Sequence, residues 1–97
     1  MLVLVCYDVA ITTKGGQKRL RHVSRACQDY GQRVQNSVFE CNVTPAQYVV
    51  LQNRLASIIN HEIDNIRFYL LGKNYQKRIE TMGVQKSFDL EKDTIIF

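Results

Sequence analysis

The sequence predicts an α+β fold with its elements in the order β-α-β-β-α-β. Three observations carry that order. A continuous apolar run from Leu2 to Tyr7 stops abruptly on Asp8, the signature of a buried strand. Two stretches, Leu20-Val23-Cys27-Tyr30 and Tyr48-Leu51-Leu55-Ile58, repeat apolar residues at steps of three, four and three, the stripe of an amphipathic helix. The segments after each helix alternate apolar and polar residues, as half-buried strands do.

Taken in order, residues 2–8 form a strand expected to be buried on both faces, because the run is unbroken. Thr12–Gly16 reads as a loop, and Gln17–Tyr30 as the first helix, with Gly31 where a C-cap glycine is expected. The segment GQRVQNSVFECNV supplies two short strands turning near Gln35–Ser37. Thr44-Pro45-Ala46-Gln47 is a helix start, with Thr44 as N-cap, Pro45 as the first helical residue and Gln47 closing a capping box. Asp64–Leu71 alternates again and Gly72 ends it. The arrangement is ferredoxin-like. It leaves 73–97 as an extension of the 1–72 core within one domain. The closing residues Thr94-Ile95-Ile96-Phe97 read as an additional strand, pairing with a partner chain's sheet edge or returning to their own sheet.

Ninety-seven residues hold one core and no more. No apolar run approaches the ~20 residues of a membrane-spanning helix, and the N-terminal run lacks the basic flank of a secretory signal, so a cytoplasmic location is expected. Cys6, Cys27 and Cys41 are odd in number, without CxxC spacing, and each sits in an apolar pattern, which reads as reduced core cysteines. The two histidines show no ligand-like pairing. Net charge is +4, and its distribution says more than its size. Lys14, Lys18, Arg19, Arg21, Arg25 and Arg33 fall in a stretch whose one acid is Asp29. Lys14, Lys18, Arg21 and Arg25 advance by four, three and four, forming one row suited to several phosphates without reading bases. A solvated helix face explains the same row. No aromatic motif for stacking single-stranded RNA is present.

Asp8 is the most informative acid. Mg²⁺ wants oxygen ligands, keeps several waters and often takes one or two protein carboxylates plus phosphate oxygens; an Asp8 from each of two chains meets that minimum. The plainer reading is a strand-end Asp that caps the following loop. Tyr7 points away from Asp8 and reads as core. Arg33 either reaches a phosphate or, as a catalytic residue, neutralises a developing negative charge; the plainer reading is an exposed strand residue. Ser37 either bonds a phosphate or stabilises the turn, and Phe39 is core or dimer interface.

Three segments together resemble a known family. They are the strand ending Tyr7-Asp8, the block Tyr30-Gly31-Gln32-Arg33-Val34-Gln35-Asn36-Ser37-Val38-Phe39-Glu40-Cys41, and Asp64-Asn65-Ile66-Arg67-Phe68-Tyr69-Leu70. They resemble CRISPR-associated protein 2, the small dimeric partner of the CRISPR-associated protein 1 integrase, and the longer tail is similar to the branch in compact type I systems. The resemblance implies a two-fold homodimer joined through its sheets, with each terminal strand (Ile95, Ile96, Phe97) crossing to the other subunit. It implies that Asp8 faces its twin near the axis, where Mg²⁺ or Mn²⁺ sits for endonuclease activity on double-stranded DNA or RNA. It also implies a dimer that bridges integrase subunits and supports the duplex during spacer acquisition. The alternative is a non-catalytic scaffold for duplex DNA and the integrase, with Asp8 a structural residue only. A small-molecule regulatory module of the same fold has no glycine-rich ligand loop to support it.

Overall fold

The computed structural model describes residues 1–72 together with 80 and 82. The expected terminal strand, with Ile95, Ile96 and Phe97, lies outside the described residues. The elements are β1 (Leu2–Asp8), α1 (Gly16–Gln28), β2 (Gly31–Gln35), β3 (Val38–Asn42), α2 (Pro45–Ile58) and β4 (Asn65–Leu70). The α+β order read from the sequence holds. The strands form one sheet in the order β2-β3-β1-β4, with antiparallel neighbours throughout. Among the described residues no helix is long and apolar enough to cross a membrane.

Register decides which side of the sheet each residue occupies. Val5 pairs Phe39 and Phe68, and Val3 pairs Cys41 and Leu70, so these share the face that the helices cover. Val3, Val5, Tyr7, Phe39 and Cys41 form the core there with Val23, Ala26 and Cys27 of α1 and Leu51 and Leu55 of α2. Tyr48 meets Phe68 edge to face, closing α2 onto β4. Leu2, Leu4, Cys6 and Asp8 take the other side, which no helix of the described residues covers; Leu2 is buried, Leu4 and Cys6 are half-buried and Asp8 is exposed. Both helices pack on one side, so the expectation of a strand buried on both faces holds at Leu2 and weakens along β1 until Asp8 is exposed.

Local chemistry explains the helix ends. Thr44 accepts the Gln47 N–H at 3.1 Å while the Gln47 side chain accepts the Thr44 N–H at 2.9 Å, completing the capping box behind Pro45. α1 stops at Gln28, short of the expected Tyr30. Gly31 is thus not a C-cap but the first residue of β2. Its requirement is close approach: a Cβ there would run into the Glu40 carbonyl oxygen. Gly16 meets a similar demand at the start of α1, where a Cβ would run into the Ala10 carbonyl oxygen.

Candidate acidic centre and nucleic-acid interface

Asp8 ends β1 directly opposite Asn65 of β4, on the side of the sheet away from α1 and α2, and both residues are exposed. Cross-strand partners in such a pair hold their side chains together, so a carboxylate and an amide oxygen share one exposed corner. Among the described residues no group of three or more His, Cys, Asp or Glu is placed to hold a metal ion. Asp8 and Asn65 are hard oxygen donors of the kind Mg²⁺ or Mn²⁺ accepts. The described residues of one chain supply too few of them for a closed site, so this donor set fits a divalent cation when a second copy adds its own.

The loop leaving Asp8 is anchored by a pair that composition and periodicity do not single out. Asp64, with its side chain fully buried, accepts the Ala10 N–H at 2.9 Å and the Asn60 N–H at 2.8 Å, and Arg19 Nε lies 2.7 Å from its Oδ2. Arg19 also donates to the Lys14 carbonyl and the Thr13 hydroxyl. Burial raises the Asp64 pKa; the Arg19 hydrogen bond, the two backbone N–H groups and the Arg19 charge outweigh it and bring the carboxyl down to about 2. A signal was present: Arg19 stands four residues before buried Val23, on the inward stripe of α1 rather than its solvent row.

Lys14 precedes α1, so the expected row of four begins in the loop and continues on the helix as Lys18, Arg21 and Arg25; all four are exposed. Arg33 lies on the helix-covered parity, opposite Phe39, and so projects to the other side of the sheet from Asp8. Within one protomer that register sets the expected catalytic residues Arg33 and Asp8 on opposite sides of the sheet. Its guanidinium sits 5.3 Å from the Phe39 ring centroid and donates to the Ser24 hydroxyl at 3.2 Å. Phe39 is fully buried and stacks on Tyr7 with centroids 6.1 Å apart, the core position of the two readings offered for it. Ser37 stands in the β2–β3 turn, and its carbonyl accepts the Tyr7 N–H at 3.0 Å.

The cysteines are free. Cys27 and Cys41 lie under the helices, with the Cys41 thiol donating to the Cys27 carbonyl, while Cys6 is half-buried on the open side. Burial pushes the Cys6 thiol up, and the Arg67 charge offsets part of that.

The family described as CRISPR associated protein Cas2 matches residues 1–79. The CRISPR-associated endonuclease Cas2 of Halalkalibacterium halodurans is 54% identical over 97 residues, covering 100% of each chain. The CRISPR-associated endoribonuclease Cas2 of Nitratidesulfovibrio vulgaris is 51% identical over 96 residues, covering 99% of this chain and 94% of the relative. The crystal structure of Streptococcus pyogenes Cas2 at pH 6.5 superposes with a TM-score of 0.78 at 64% identity, over 86% of this chain and 100% of that one. With Tyr7-Asp8 at the end of β1 and the RVQNSVFEC block forming the β2–β3 hairpin, the chain belongs to the CRISPR-associated Cas2 family.

Proposed function

We propose that the chain is a cytoplasmic CRISPR adaptation protein, a homodimer that binds duplex nucleic acid and hydrolyses phosphodiester bonds with a divalent metal. The carrying observation is the exposed Asp8 at the end of a sheet face that α1 and α2 leave uncovered, on which half-buried Leu4, Cys6 and Val38 form an apolar strip. Apolar area of this kind is stabilised by a cover, and a second copy laid face to face supplies both the cover and a second Asp8. The residues 73–97 then serve as an extension whose final strand reaches the partner, and the assembled dimer bridges CRISPR-associated protein 1 integrase subunits during spacer acquisition.

The two Asp8 carboxylates, with Asn65 beside each, would hold Mg²⁺ or Mn²⁺. That ion, when bound, supplies Lewis-acid polarisation of a phosphate and a water of lowered pKa. The chain's own residues do the remainder. Lys14, Lys18, Arg21 and Arg25 neutralise backbone phosphates and set the duplex in place without reading its bases. Arg33 grips the backbone on the helix side, with Ser37 in the turn beside it. Relatives named endonuclease and endoribonuclease support the hydrolytic reading for DNA or RNA.

The second reading is a scaffold that binds duplex and integrase without cutting, favoured by the one acid, Asp8, that the described residues bring to this corner. Asp8→Ala separates the two. Metal-dependent cleavage by highly purified protein is expected to vanish while duplex binding persists; cleavage that survives the substitution rejects Asp8 as the metal-holding acid.

A further inference from the structure

A hydrogen-bond chain runs from Arg33 into the turn between β2 and β3. Tyr7 has one hydroxyl proton, and it goes to the Asn36 carbonyl at 3.2 Å. The Tyr7 oxygen, 3.1 Å from the Ser24 hydroxyl, therefore accepts the Ser24 proton. Ser24 in turn accepts from Arg33 Nη2 at 3.2 Å. Every bond points the same way, Arg33 to Ser24 to Tyr7 to Asn36, so each strengthens the next. The Phe39 ring supports the guanidinium from below, and Tyr7 stacks on that ring.

Ser24 is half-buried and touches no solvent-facing ligand site of its own; what it controls is Arg33. It stands three residues after Arg21, a neighbouring position on the helix surface, so its bond sets Arg33 toward the C-terminal half of the exposed cationic row. Arg33 is exposed and carries five N–H donors in a fixed fork, which leaves donors turned outward. A guanidinium already immobilised loses less rotamer freedom when a phosphate arrives.

We propose that Ser24 is a positioning residue for the nucleic-acid backbone: it holds Arg33 on the Arg21 side of the cationic row as a pre-set phosphate ligand and ties that ligand, through Tyr7, to the β2–β3 turn. The proposal rests on the reading of the α1 face as the duplex-binding surface.

The test is a double-mutant cycle on the full-length protein, with affinity for a short blunt DNA duplex followed across salt concentrations. Ser24→Ala weakens binding roughly threefold, the loss of about one net hydrogen bond. Arg33→Ala lowers the log–log salt slope by ~0.9, the share of one neutralised phosphate. Adding Ser24→Ala to Arg33→Ala changes nothing further, and Ser24→Thr, which keeps the hydroxyl, binds like the parent. In the NMR spectrum of the free protein, the Arg33 side-chain N–H exchanges faster in Ser24→Ala. An equal loss from Ser24→Ala with and without Arg33 overturns the positioning role, as does unchanged binding and exchange in the single variant. If Arg33→Ala leaves affinity and slope untouched, the surface reading itself falls.

Discussion

Arg19 and Asp64 meet as a two-pronged ion pair across 45 residues of sequence, Nε to Oδ2 at 2.7 Å and Nη2 to Oδ1 at 3.4 Å. The same carboxylate takes backbone N–H groups from the loop after β1 and from the α2–β4 connection. One buried side chain thus joins three segments around the base of the Asp8 corner. Breaking the pair by Asp64→Ala is expected to cost about 3 kcal/mol, because it strands a mostly buried guanidinium and two amide donors. Chemical denaturation of the two proteins checks it.

The same pair sets an acid limb. Asp64 falls from its ordinary 3.8 to about 2 on folding, so its contribution is present in full above pH 3.8 and is lost as pH drops through about 2. Allowing for screening at partly exposed Arg19, that contribution is about 1–2 kcal/mol. Asp64→Asn removes this limb: its stability relative to the parent improves steadily between pH 4 and pH 2, read from urea midpoints at each pH. Parallel curves for the two proteins would refute the assignment.

Metal removal should act on chemistry and leave the fold alone. Asp8 is exposed and contributes nothing to the protomer core, so Asp8→Asn is expected to change stability by no more than about 0.5 kcal/mol. Chelation of Mg²⁺ and the Asp8→Asn change should each abolish cleavage, and neither should add to the other.

The cationic row predicts a graded salt response. Replacing Lys18, Arg21 and Arg25 by Ala should flatten the log–log salt dependence of duplex affinity by ~0.9 for each phosphate no longer neutralised, with little change in melting temperature since all three are exposed. A slope identical to that of the parent would remove α1 as the binding face.

Gly31→Ala tests the hairpin. Its methyl would collide with the Glu40 carbonyl, and because the nearest atoms are backbone, the strands must separate to admit it. A loss of about 1–3 kcal/mol is expected, measured by thermal unfolding. An unchanged midpoint would mean that β2 and β3 are less closely apposed here.

What is legible in the sequence follows the range of the forces involved. The Thr44-Pro45-Gln47 start is written in four consecutive residues, and both bonds of its capping box form as expected. The element order follows from periodicity and short connections. Gly31 misleads because a glycine after a helical stripe suits either a cap or a tight strand crossing, and only the neighbouring strand distinguishes them. Arg33 and Phe39 resist a reading from sequence because the side each occupies depends on pairing register, here complicated by the irregularity between Arg33 and Gln35. The Arg19–Asp64 pair joins distant segments, and no local pattern connects them.

The three sulfurs lie at different depths, and that gives the molecule a built-in gauge. A maleimide offered to the folded chain meets Cys6 on the uncovered side, whereas Cys27 and Cys41 come within reach only once α1 parts from the strands. Fast labelling then reports whether anything has settled over the open face, and slow labelling counts the rare occasions on which the whole molecule comes apart.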